Sequence, residues 1–93
     1  MLLYISNVEP TTNVKYDVYH SDLDEAMYDI MESYWSTLYL DHSVGITHMF
    51  LDFFREWPEY LPGEIIIIQT DSYLKQNLER AVDALYYRDR GVL

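Results

Sequence analysis

The chain has no cysteine, three glycines, three prolines and only six basic residues among 93. Without cysteine there is no disulfide framework and no thiolate metal site. With so few glycines, none of them in a phosphate-binding arrangement, a nucleotide loop is excluded as well. The longest aliphatic run is Ile65 to Ile68, against the roughly 20 apolar residues that a membrane-spanning helix needs. The start, Met-Leu-Leu-Tyr-Ile-Ser-Asn, has neither a basic n-region nor an h-region of signal-peptide length. The expectation is a cytoplasmic protein. A length of 93 residues with 49% hydrophobic and 16% aromatic content predicts a single compact domain over 1–93 with a filled core.

What is abundant is acid. Sixteen Asp and Glu against six Lys and Arg give a formal net charge of −10, a field that repels nucleic acid and anionic membranes and attracts basic proteins. The excess is uneven: residues 1–74 hold 13 acids and two bases, Lys15 and Arg55, whereas residues 75–93 hold three acids and four bases. From Asp17 to Asp41 there are seven acids and no Lys or Arg.

Leu2 to Val8 is rich in β-formers, Glu9 to Asn13 supplies turn residues, and Val14 to Tyr19 places Val14, Tyr16 and Val18 on one face. This pattern predicts a β-hairpin with one wet face. Ser21 then reads as the N-cap of a first helix with acids in its first turn. Leu23, Met27, Ile30, Met31, Tyr34 and Leu38 fall on one stripe, which extends this helix to Tyr39 or Leu40. Ile46 to Trp57 repeats as a second helix that Pro58 ends. Glu64 to Thr70, apolar on both faces, predicts an interior strand. Asp71-Ser72 caps a third helix whose core stripe is Leu74, Leu78, Ala81, Val82 and Leu85, with Gly91 as C-cap and Arg80, Arg88 and Arg90 near its negative end. The predicted fold class is α+β: a small antiparallel sheet, made of the hairpin and a buried strand, packed against three helices in the order β-β-α-α-β-α.

The first helix carries the candidate binding surface. Asp22, Glu25, Asp29 and Glu32 follow i, i+3, i+7, i+10 spacing, which puts four carboxylates on one ridge about 15 Å long, with a charge roughly every 5 Å. Like charges so spaced disfavour a helix, and no lysine relieves them. Tyr19, Tyr28 and Tyr39 stand in or beside this segment, and tyrosine supplies the rigid contact area typical of interface anchors. His20, His42 and His48 form no metal-ligating motif, and neither a nucleophile motif nor an assignable carboxylate pair occurs. The expectation is therefore no enzyme, no catalytic residue, no metal and no cofactor.

In size, charge, lack of cysteine and uncompensated acidic helix, the chain resembles the small acidic phage-encoded proteins that mimic DNA, the anti-restriction proteins among them. The resemblance is compositional and spans the whole chain loosely. The chain departs from the most acidic of these proteins in keeping six basic residues, four of them from Lys75 onward. The resemblance implies an inhibitor that fills the nucleic-acid groove of a basic host protein: a defence nuclease, a CRISPR effector or a nucleoid protein, in the host cytoplasm. It binds neither nucleic acid nor membrane. An immunity or antitoxin protein that neutralises a basic nuclease toxin would need the same acid-and-tyrosine surface, and a structural protein would carry the charge for solubility alone. Arg80, Arg88 and Arg90 with Tyr86-Tyr87 make a basic patch that would meet the acidic face of a second copy in a homodimer.

Overall fold

The computed structural model describes residues 1–8 and 15–87. Four strands, β1 (Leu2–Ser6), β2 (Val18–His20), β3 (Thr37–Asp41) and β4 (Glu64–Ile67), alternate after β2 with helices α1 (Leu23–Glu32), α2 (Val44–Glu56) and α3 (Ser72–Tyr87). The strands form one sheet in the order β2-β1-β3-β4, and every pairing is parallel.

The expected antiparallel sheet is thus wrong, and so is the hairpin. β1 and β2 are neighbours, but they run the same way, with Leu3 opposite Val18 and Ile5 opposite His20. Two β-rich stretches flanking turn residues look the same in sequence whether the chain reverses or crosses over. The expected turn, Glu9 to Asn13, and Val14 lie outside the described residues.

The first helix is also shorter than its stripe suggests. It ends at Glu32, where the extended Ser33 closes it with a bond from its N–H to the carbonyl of Asp29. Thr37 to Asp41 then forms the strand β3, so the element order is β-β-α-β-α-β-α. Tyr34 and Leu38 continued the helical spacing by coincidence. The decisive pattern is the alternation in Thr37-Leu38-Tyr39-Leu40, whose β-branched and aromatic residues suit a pleat, with Leu38 and Leu40 both buried.

α2 begins at Val44, with the hydroxyl of Ser43 accepting from the Ile46 N–H at 3.3 Å. It ends before Pro58, which opens a short 3-10 turn, Pro58–Tyr60. α3 starts where Asp71 Oδ1 accepts from the Tyr73 and Leu74 amides, and it buries Leu78, Val82 and Leu85. The expected C-cap Gly91 lies outside the described residues.

Leu3 and Ile5 of β1, Leu38 and Leu40 of β3, and Ile65 and Ile67 of β4 face one side and join Ala26, Ile30, Phe50, Leu51, Phe54, Leu78, Val82 and Leu85 in one core. All three helices therefore lie on that side. A right-handed crossover explains this for α1 and α2: β2 to β3 and β3 to β4 advance in the same direction across the sheet, so both connections fall on one face. β4 is an edge strand, not the interior one expected from the run Ile65 to Ile68. Its burial alternates, and Ile66, 36% exposed, belongs to the face without helices.

That second face carries a row of tyrosines. Register places Tyr19, Tyr4, Tyr39 and Ile66 side by side across the four strands, and the Tyr4 ring touches those of Tyr19, Tyr39 and Tyr16.

Candidate functional site

The acidic ridge resolves into carboxylates with different employment. Asp22, not Ser21, is the N-cap of α1: its Oδ1 accepts from the Asp24 N–H at 2.9 Å and the Glu25 N–H at 3.2 Å. That carboxylate is turned to its own helix. Asp29 is half-buried, and its Oδ2 is bonded to Nε2 of His20 on β2. The other nitrogen of that ring, Nδ1, lies 3.7 Å from Glu25 Oε1. The histidine thus sits between two of the four ridge carboxylates and ties α1 to the sheet edge. The indole of Trp35 adds a second tie, its Nε1 donating to the carbonyl of Asp29 at 2.9 Å. Glu32 is exposed, as is Asp24, an acid outside the expected set.

The three candidate tyrosines are not brought together. Tyr28 projects from α1 and is 67% exposed. Tyr19 and Tyr39 are strand residues, half-buried in the tyrosine row on the sheet face opposite α1. Tyr39 in particular was expected beside the ridge because the helix was expected to reach it.

Instead, α1 presents apolar residues assigned above to the core stripe. Met31, in the last turn of α1 beside the buried seam of Ala26 and Ile30, is 48% exposed, and Tyr34, past the helix end, is 70% exposed. Met31 lines two adjoining hollows. One is formed with Asp24, Met27 and Tyr28. The other lies between the end of α1 and the Pro58–Tyr60 turn, with Glu32, Tyr34, Glu59, Tyr60 and Leu61. Neither contains a Lys or Arg. The outer flank of α1 is therefore a methionine and tyrosine surface bordered by Asp24, Glu25, Glu32 and Glu59.

An open parallel sheet has a second place where ligands gather, the crevice beyond the strand ends where the strand order reverses. Here it lies between β1 and β3. Tyr4 donates from its hydroxyl to Asp41 Oδ2 at 2.7 Å, the Ser6 hydroxyl accepts from the Val8 N–H at 3.2 Å, and Gln69 donates to the His42 carbonyl at 3.1 Å. These side chains bond within the chain, and residues 6–8, 42–43 and 68–71 include no Lys or Arg to hold a phosphate. Sequence reading missed this crevice because it follows from parallel order alone.

No protein-family model, no curated protein and no solved structure matches the chain. The site is therefore read on its own chemistry. Among the described residues no three His, Cys, Asp or Glu side chains are grouped as a metal ion would need, and no helix is long and apolar enough to cross a membrane. Of the expected C-terminal basic patch, Arg80 is exposed on α3; Arg88 and Arg90 lie outside the described residues.

Proposed function

We propose that the protein is an acidic inhibitor that occupies the nucleic-acid-binding surface of a basic cytoplasmic protein, with the outer flank of α1 as its contact. The observation that carries this reading is the exposure of Asp24, Glu25, Glu32 and Tyr28 on one helix within a stretch, residues 16–54, that has no Lys or Arg. Carboxylates held there pair with the Arg and Lys of a groove that otherwise holds phosphates. A net charge of −10 steers such a partner in quickly and makes association sensitive to salt, while the aromatic contacts set how slowly it leaves.

One feature favours a second reading, an immunity or antitoxin protein. The centre of the surface is Met31 and Tyr28 rather than a carboxylate, and an apolar centre suits a protein surface beside the groove better than the groove itself. The two readings separate in one experiment. The immobilised protein and its Asp24→Lys/Glu32→Lys variant are offered a bacterial lysate at low and near-physiological salt, with duplex DNA as competitor. A basic nucleic-acid-binding protein that the wild type retains, the variant loses and DNA displaces supports the inhibitor. Retention that DNA leaves intact supports the immunity reading. Equal behaviour of variant and wild type leaves the charge a solubility device only.

A further inference from the structure

α1 is ten residues long and fully buries only Ala26 and Ile30. Beside this narrow seam lies a second stripe, Asp24, Met27, Tyr28 and Met31 at i, i+3, i+4, i+7 spacing, the spacing of a face that packs against another helix. Tyr34 continues it past the helix end. Single exposed apolar side chains need no explanation, but adjoining ones do. Here Met31 joins the two hollows into one surface, and its acids, Asp24, Glu32 and Glu59, have no basic residue among them. A bare phosphate mimic has no use for an apolar centre. Methionine with tyrosine suits a binding surface that adapts to a partner's apolar side chains.

We infer that this surface receives a basic amphipathic helix of the partner protein, its apolar side chains seated on Met27, Tyr28 and Met31 and its Lys or Arg residues facing Asp24, Glu32 and Glu59. The inference rests on the proposed contact through α1 and specifies what the partner contributes. Charge complementarity selects the occupant: a second copy would bring its own acidic field, whereas a basic helix neutralises the border while its apolar stripe covers the centre. The stripe from Asp24 to Met31 rises about 10 Å, the length of two turns of a partner helix.

Two synthetic 14-residue peptides with the same number of lysines test it on the full chain. One carries leucine at i, i+3, i+4, i+7 spacing, and the other has glutamine at those positions. The leucine peptide is expected to bind about tenfold tighter or better, since its buried side chains add to an equal charge. The methyl resonances of Met27 and Met31 should shift, and those of Met1 and Met49, both exposed elsewhere, should not. Met31→Gln, a change at an exposed site checked by circular dichroism, should remove most of that preference without changing the salt dependence. Equal binding of both peptides, or a preference unmoved by Met31→Gln, overturns the apolar contact and leaves the acidic reading standing. Failure of both peptides to bind at low salt overturns both.

Discussion

The hydroxyl of Tyr4 on β1 donates to Oδ2 of Asp41 at the end of β3, 2.7 Å away and 37 positions on in sequence. Tyr4 has no exposed surface, so the bond joins the two central strands on the face without helices. Removing only the hydroxyl, in Tyr4→Phe, should cost about 1 kcal/mol, and somewhat more because the Asp41 carboxylate loses a partner. Urea unfolding should show a lower midpoint with an unchanged slope. An unchanged midpoint would mean that water replaces the phenol at no cost.

Gly63 has no room for a side chain. A Cβ there would stand 2.6 Å from the carbonyl oxygen of Ser36 and 2.8 Å from the hydroxyl of Tyr34, and the Gly63 N–H donates to the Trp35 carbonyl at 2.9 Å. Because the nearest obstacle is backbone, Gly63→Ala should push β4 away from β3 at a cost of about 1–3 kcal/mol. Thermal unfolding gives the answer directly; a melting temperature equal to that of the wild type would contradict the packing.

Tyr86 donates to the Pro62 carbonyl at 2.8 Å, and burial, reinforced by Tyr34 and Glu64, pushes its hydroxyl well above the ordinary tyrosine range. A group that holds its proton more tightly when folded contributes its full stability below the unfolded value, near pH 10, and loses it as pH rises beyond. Tyr86→Phe should therefore be about 1 kcal/mol less stable at pH 8, and the gap should narrow by pH 11 as the wild type is penalised for ionisation. Urea titrations at the two pH values test this, and a constant gap would contradict a buried, hard-to-ionise hydroxyl.

The ridge carboxylates should respond unequally to charge reversal. Asp29→Lys sets an ammonium against His20 at a half-buried position and should cost about 1–3 kcal/mol, whereas Glu32→Lys, exposed at the helix end, should stay within about 0.5 kcal/mol. Equal losses in a denaturant series would show that the His20 contact contributes nothing.

Local rules were sufficient for much of the chain. Pro58 stops α2, Asp71 caps α3, and the buried isoleucines of β4 were recognisable from the residues themselves. What escaped was long-range. Strand direction is decided by which neighbour a strand finds, and nothing within Leu2 to Tyr19 distinguishes a reversal from a crossover. Tyr34 and Leu38 show the same limit at closer range: the helical stripe runs on through both, whereas the helix closes at Ser33 and Leu38 and Leu40 are buried under the sheet as strand residues. The candidate site inherited that error. Tyr39 moved to the far face with β3, Asp29 was drawn in by a histidine 9 positions earlier, and Met31 and Tyr34 came out to the surface.

The strand order also has a consequence for synthesis. β1 is made first, yet it is an inner strand whose full-length neighbour, β3, is complete only at Asp41, and the side chains that cover both, Phe50, Leu51 and Phe54, follow later still. On a ribosome supplying residues one at a time, the apolar Leu2–Ile5 segment has only the short β2 to pair with until Asp41 has been added and β3 can pair along its whole length. Such non-local pairing delays folding and leaves the nascent strand open to wrong partners. A ribosome stalled before residue 50 would hold three strands of the sheet without the α2 side chains, Phe50, Leu51 and Phe54, that cover them.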